Sequence, residues 1–130
     1  MRYLTACMTP LLLALVPAIA SAEVPQDLRH AMEARVNAVW SKDVAAWSRF
    51  TADEFAVVVP EGQLLTKADR LAALKLETPQ TPHAIGHETV HVYSDAAVRR
   101  FLDEDEWILE VWVRQNGMWR VVAAQVNFAK

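Results

Sequence analysis

The segment His87-Glu88-Thr89-Val90-His91 has the residue types and the spacing of the zinc-protease motif HExxH. In that motif two histidines one helical turn apart bind zinc, and the glutamate acts as general base. Here Gly86 precedes the segment, and its Thr and Val residues favour extended backbone. Residues four apart in a strand are separated by about 13 Å, too far to share one ion in that way. We therefore predict no metal site and expect a half-polar strand face of His87, Thr89, His91 and Tyr93.

Glu110 is a carboxylate between apolar neighbours in the middle of a predicted strand. If it is buried without a partner, it could act as a general base, and His91 is the second candidate for that role. The alternatives for Glu110 are exposure at a sheet edge or an ion pair with Arg99, Arg100 or Arg114 on neighbouring strands. We favour these alternatives, since ion pairs within a fold are common.

Two runs rich in β-branched and aromatic residues, 106–115 and 118–128, flank Asn116-Gly117. Asn-Gly tolerates the positive φ angles that a type I′ turn requires, so this pattern predicts a β-hairpin. The turn would set the register of the two strands. The expected partners are Gln115 with Met118, Val113 with Arg120, Val111 with Val122, and Glu110 with Ala123.

Side chains of this hairpin should alternate between two faces. One face is apolar, with Trp107, Leu109, Val111, Val113, Met118, Val122, Ala124, Val126 and Phe128. The other is mixed, with Ile108, Glu110, Trp112, Arg114, Trp119, Val121, Ala123, Gln125 and Asn127. A solvated face would not carry two tryptophans, so we expect both faces to be covered. The protein's own helices would cover one, and a partner or a ligand the other.

Residues 1–22 have the pattern of a secretory signal peptide. Arg2 gives a positive start, an apolar run follows at residues 11–16, and Ala20-Ser21-Ala22 resembles a cleavage site. The apolar run is too short to span a membrane. We therefore expect a secreted or periplasmic protein, cleaved near Ala22. Cleavage would remove Cys7, which excludes disulfides and thiolate chemistry from the mature chain.

The remaining residues, 23–130, are predicted to form one domain. With a formal net charge of −3 and no basic cluster, the chain is not expected to bind nucleic acid. Helical patterns start at Pro25, Val44 and Thr66. Asp43 is the expected N-cap of the second helix, and Thr66 with Asp69 has the spacing of a capping box at the third. Residues 51–54 are predicted as a turn, and strands are expected at 55–59, 63–65, 85–93 and 96–102 before the hairpin. Helices followed by consecutive strands indicate an α+β domain with a curved antiparallel sheet wrapped over about three helices.

This order resembles the nuclear transport factor 2-like superfamily, and within it the SnoaL-like and calmodulin-kinase-association-domain-like proteins of unknown function. The matching motifs are Trp40-Ser41-Lys42-Asp43 and residues 55–62, 65–71, 92–98 and 111–125. The resemblance spans essentially all of residues 23–130. It implies a cone-shaped domain, often dimeric through sheet faces, with an apolar pocket between the helices and the concave sheet. The expected pocket-lining residues are Trp40, Phe55, Val57, Val59, Trp112 and Gln125.

The resemblance does not define an activity, because members include isomerases, dehydratases, cyclases and non-catalytic proteins. In the ketosteroid isomerases the base precedes the proline after the first strand, which here is Val59, and the oxyanion tyrosine aligns loosely with Arg35. Val59 cannot accept a proton, which argues against that reaction. We expect a domain that binds a small apolar molecule without a cofactor. The alternatives are a lyase or isomerase using Glu110 or His91, and a structural homodimer without a ligand.

Overall fold

The structure, a computed structural model, describes residues 23–130. It contains α1 (Gln26–Ser41), α2 (Val44–Arg49), β1 (Thr51–Val58), β2 (Leu64–Thr66), α3 (Lys67–Leu76), β3 (Gly86–Tyr93), β4 (Ala96–Asp103), β5 (Glu106–Gln115) and β6 (Met118–Phe128). The predicted signal segment, with Cys7, lies outside the described residues. The α+β class and the three helices agree with the sequence prediction.

Side-chain caps define where the second and third helices begin. Asp43 accepts a hydrogen bond from the Ala46 N–H (3.0 Å) at the start of α2. At the start of α3, Thr66 and Asp69 form a reciprocal capping box. Both caps satisfy N–H groups that a helix leaves without partners at its first turn. Local polar residues therefore fix these two boundaries, as the sequence predicted.

The six strands form one open, mixed sheet in the order β2-β1-β6-β5-β4-β3. The pair β1–β6 is parallel, whereas the other pairs are antiparallel. The expectation of a purely antiparallel sheet is therefore wrong at one pair. After β2, α3 and residues 77–85 carry the chain to the far edge of the sheet. The last strand then returns to the middle and runs alongside β1.

Strand β1 begins at Thr51, so the turn predicted at residues 51–54 is wrong. Thr51 pairs with Val121 of β6, and its hydroxyl donates to the Trp47 carbonyl oxygen (2.7 Å). A register shift follows Thr51, and the exposed Asp53 and Glu54 lie within it. Their charge gives the segment the composition of a turn, although it belongs to an irregular strand.

The hairpin forms around the predicted turn, but its register changes halfway along. Asn116 and Gly117 have φ angles of 51° and 75°, and Gln115 pairs with Met118 as predicted. Beyond Trp112, which pairs with Val121, the partner of Val111 is Ala123. Val122 is thus an extra residue, a β-bulge. The predicted pairs Val111–Val122 and Glu110–Ala123 are therefore wrong by one residue.

The bulge reassigns the residues of β6 that follow it to opposite faces. Because Glu110 pairs with Ala124, and Ile108 with Val126, both Ala124 and Val126 lie on the inner face. Ala123, Gln125 and Asn127 lie on the outer face and are exposed. The predicted composition of the two faces holds for β5 and fails for this end of β6.

The mixed face of the hairpin is the one that the protein's own helices cover. Trp112 (0% exposed) and Trp119 (2%) belong to the core with Leu28 and Met32 of α1. The first turns of α1 therefore pack directly on the sheet. The last turns of α1, from Arg35 to Trp40, line a cavity against the same face of the sheet.

Candidate functional site

The cavity lies between the C-terminal half of α1 and the inner face of the sheet, with a volume of about 390 Å³. Apolar and aromatic side chains form its wall: Val36, Val39, Trp40, Trp47, Phe55, Val57, Phe101, Ile108, Ala124 and Val126. Polar side chains form the rest: Arg35, Arg70, Glu77, Gln80, His83, Asp103, Glu104, Asp105, Glu106 and Glu110. About half of the lining is therefore polar, which the expectation of an apolar pocket did not anticipate.

Half of the expected lining residues border this cavity. Trp40, Phe55 and Val57 lie in its wall. Val59 is partly buried and packs against the hydrophobic core, outside the lining. Trp40 of α1 and Phe55 and Val57 of β1 thus face the cavity.

The other expected site residues lie elsewhere. Trp112 is fully buried in the core and does not border the cavity. Gln125 is exposed on the outer face, because the bulge at Val122 reverses its direction. His91 is exposed on β3, whose Val90 and Val92 pack against the core. Neither Gln125 nor His91 can therefore act inside the cavity.

Glu110 does line the cavity, and it is ion-paired. It is 3% exposed and accepts hydrogen bonds from Arg35 Nη1 (2.9 Å), Trp112 Nε1 (2.8 Å) and Arg99 Nη1 (3.5 Å). Arg99 lies directly across from Glu110 in the β4–β5 register. Of the three arginines considered from the sequence, Arg99 is the partner, and Arg35, which was not among them, is a second one.

Arg35 joins α1 to the sheet beneath the cavity. Its Nε donates to Thr51 Oγ1 (2.9 Å), and its guanidinium carbon lies 5.0 Å from the Trp47 ring centre and 5.4 Å from that of Phe55. Burial lowers the pKa of Arg35, and the Glu110 carboxylate opposes this change. Arginine nevertheless stays charged in proteins, so the cation needs its carboxylate partner and the two aromatic faces.

The ion pairs continue to the surface as a chain of alternating charges, Arg35–Glu110–Arg99–Glu88–Arg29, which we term the charge network. Arg99 Nη2 lies 2.7 Å from Glu88 Oε2, and Arg29 also donates to Glu88. Burial acts to raise the pKa of Glu88, but the hydrogen bonds from Arg29 and Arg99 outweigh it and lower the pKa. Glu88, the glutamate of the HExxH segment, therefore connects two arginines inside the fold.

The structure places that HExxH segment on strand β3, as predicted. Thr89 and His91 pair with Arg100 and Val98 of β4. Within residues 23–130, no group of three or more His, Cys, Asp or Glu side chains could hold a metal ion. The motif thus has the spacing of a metalloprotease and none of its helical geometry.

Five acidic side chains of the lining are exposed or half-buried, and they define what we term the acidic rim, on the solvent side of the cavity: Glu77, Asp103, Glu104, Asp105 and Glu106. Burial, and after it the nearby Asp105 and Asp103 carboxylates, raise the pKa of Glu106. Arg70, which lies 3.9 Å from Glu77, supplies part of the compensating charge. The rim is therefore a region of net negative potential.

His83 ties the segment between α3 and β3 to this rim. Its Nε2 contacts Asp103 Oδ1, and its Nδ1 faces the Thr81 carbonyl oxygen (3.3 Å). Its ring packs against Trp40 in a tilted arrangement, with the ring centres 4.8 Å apart. Both ring nitrogens face acceptors, which favours the imidazolium. The Asp103 hydrogen bond, followed by that of Thr81, accordingly raises the pKa of His83.

Solved structures with the same architecture include NTF2-like proteins. An NTF2-like protein from Cytophaga hutchinsonii superposes with a TM-score of 0.73 at 18% identity, covering 81% of this chain and 99% of its own. An NTF2-like protein of unknown function from Silicibacter pomeroyi gives 0.68 at 21% identity, covering 78% and 92%. The association domain of CaMKII from C. elegans gives 0.62 at 20% identity, covering 78% and 93%.

These superpositions define the fold: this chain has the cone-like α+β fold of NTF2-like proteins, as the sequence motifs suggested. Comparison of the sequence with protein-family models and with curated proteins gives no match. Among residues 23–130, no helix is long and apolar enough to cross a membrane. The fold itself hosts many activities, so function has to be argued from the cavity.

Proposed function

We propose that this domain binds a small organic molecule in the cavity between α1 and the inner face of the sheet. The observation that carries the proposal is the cavity itself. Its volume, about 390 Å³, lies in the range of roughly 300–1,000 Å³ that is typical of small-molecule sites. Trp40, Phe55 and Ile108 offer aromatic and apolar surface to the body of a ligand, and the acidic rim leads to solvent.

The structure of the cavity supports a binding domain better than an enzyme that uses Glu110 as its general base. Both carboxylate oxygens of Glu110 already accept hydrogen bonds, from Arg35 on one side and from Trp112 and Arg99 on the other. Accepting a substrate proton would require at least one of these bonds to break. His91 lies on the opposite face of the sheet and has no access to the cavity.

Filling the cavity should abolish binding while leaving the fold intact. In Ala124→Phe the added ring projects into the cavity, whereas in Ala123→Phe it projects outward from the adjacent position. Saturation-transfer NMR with a mixture of small aromatic fragments should detect binding to the wild type and to Ala123→Phe. The signals should be lost with Ala124→Phe. Equal signals from both folded variants, or none from the wild type, would contradict the proposal.

We also propose that two copies associate through the outer face of the sheet. Leu109 is 38% exposed on this face, between the half-buried Trp107 and Val111 of the same strand. Tyr93, at the end of β3, is 65% exposed. Exposed apolar groups of this kind mark association surfaces. Light scattering after size exclusion should give twice the protomer mass for the wild type and the protomer mass for Leu109→Glu. A wild-type monomer at high concentration would exclude this interface.

For location, we propose that the domain acts in the periplasm or outside the cell after removal of residues 1–22. The positive start, short apolar run and small residues before Glu23 support this. Fractionation of expressing cells, with sequencing of the mature N-terminus, should find a secreted chain that begins near Glu23. An uncleaved cytoplasmic protein would disprove it.

A further inference from the structure

Arg35 presents an unused hydrogen-bond donor to the cavity. Its Nε binds Thr51 and its Nη1 binds Glu110, whereas Nη2 has no partner among residues 23–130. Arg35 is 8% exposed and lines the cavity, so the exposed part of its side chain faces the cavity. Nη2 is the guanidinium nitrogen that neither Thr51 nor Glu110 holds, and it is therefore the donor available to a ligand.

The surroundings of Arg35 favour an uncharged acceptor over an anion. Its charge is already matched by Glu110, and the second arginine at that carboxylate, Arg99, is matched in turn by Glu88. A ligand carboxylate would also have to pass the acidic rim. A carbonyl-type oxygen can accept the remaining N–H without bringing a further buried charge.

The rim adds a requirement at the other end of the ligand. Its five carboxylates outnumber the two cationic residues that line the cavity beside them, Arg70 and His83. Partial burial and neighbouring carboxylates already disfavour the ionised form of Glu106. A positive charge at this end would relieve that repulsion. The rim alone would not define a site, but it borders a cavity whose inner end holds an unsatisfied donor.

We propose that the cavity selects a cationic carbonyl compound: an uncharged oxygen accepts a hydrogen bond from Arg35 Nη2, an aromatic or apolar body contacts Trp40 and Phe55, and an ammonium group lies at the acidic rim. This inference rests on the proposed binding function and narrows it to one class of ligand. The same arrangement disfavours anionic compounds of the same size.

Four para-substituted benzenes of nearly equal size test separately the two groups that the ligand needs, an uncharged oxygen at Arg35 and a positive charge at the acidic rim. They are para-acetylbenzylamine, para-methylacetophenone, para-methylbenzylamine and para-acetylbenzoate. Titrations followed by protein NMR at low salt should rank para-acetylbenzylamine first and para-acetylbenzoate last. Since exposed charge pairs are weak, we expect the amine to improve affinity about threefold to fivefold over the methyl group, and salt to reduce this gain.

Substitutions assign each preference to a residue. Glu106→Gln should reduce the advantage of the amine, while Glu33→Gln, exposed on α1, should leave it unchanged. Arg35→Lys keeps the charge beside Glu110 but replaces the three guanidinium nitrogens by one ammonium nitrogen. That nitrogen cannot both hold Glu110 and reach the ligand oxygen at the Nη2 position, so the acetyl and methyl compounds should bind this variant equally. If that variant does not fold, the affinity ranking of the four compounds on the wild type still tests the proposed class of ligand.

The outcomes separate the ligand class from the binding function. The predicted affinity ranking, with chemical-shift changes at Trp40, supports both the proposed ligand class and the proposed binding function. Binding of all four compounds with equal affinity, or tightest binding of the benzoate, refutes the ligand class and leaves the binding function standing. If neither these compounds nor the fragment mixture binds the wild type, both proposals are wrong.

Discussion

Replacing Glu110 by alanine is expected to destabilise the domain by about 3–5 kcal/mol, the range observed when one member of a buried ion pair is removed. Arg35 and Arg99 would then remain buried with no carboxylate between them, and Trp112 Nε1 would lose its acceptor. Chemical denaturation should show a lower midpoint. The slope should be similar, since the surface exposed on unfolding changes little.

A matched control is Glu54→Ala, which removes an exposed carboxylate that accepts a hydrogen bond from Gln115. Its free energy of unfolding should change by less than about 1 kcal/mol, the scale of surface interactions. Glu110→Gln should fall between the two variants, because it keeps the shape and an acceptor but loses the charge. An effect of Glu110→Ala as small as that of the control would mean that the charge network is open to water.

Short-range sequence signals correctly predicted the local features of this fold. The Asp43 cap, the Thr66–Asp69 capping box and the Asn116-Gly117 turn each depend on residues within a few positions of one another. Apolar periodicity similarly identified the helices and most strands. These features together defined the order of elements, and the order is what made the fold recognisable.

Features that depend on distant residues were not predictable in the same way. The bulge at Val122 contains no glycine or proline to mark it, yet it reverses the direction of Gln125. The parallel pairing of β1 with β6 depends on the path of the whole chain. In both cases the determinant is tertiary packing, for which a single sequence has no local signal.

The pairing of Arg35 with Glu110 is intermediate between the features that local sequence predicts and those that depend on distant residues. Arg35 occupies the apolar stripe of α1, three residues after Met32, and Glu110 occupies an apolar strand. An arginine and a carboxylate that each interrupt a buried pattern are candidates for one ion pair, because buried charges need partners. That signal was present in the sequence, although 75 positions separate the two residues.

Trp112→Ala is the second substitution for which we expect a loss of about 3–5 kcal/mol, the usual cost of removing a buried aromatic side chain. Trp112 is 0% exposed and packs in the core between the sheet and α1. The substitution would leave a void and also remove the N–H that binds Glu110. Thermal or denaturant unfolding with near-ultraviolet circular dichroism measures both the stability and the packing.

Two phenylalanine substitutions separate these contributions. Trp112→Phe removes part of the ring and a hydrogen bond to a carboxylate, a kind of bond worth about 1.5–3 kcal/mol. Trp119→Phe removes a comparable ring, but the Trp119 Nε1 has no hydrogen-bond partner in the described part of the chain, residues 23–130. Trp112→Phe should therefore be the more destabilising of the two by at least about 1 kcal/mol. In the Glu110→Gln background the difference should shrink, because a neutral amide is a weaker acceptor than a carboxylate. If Trp112→Phe and Trp119→Phe lose the same stability, both in the wild type and in the Glu110→Gln background, Trp112 stabilises the domain by packing alone.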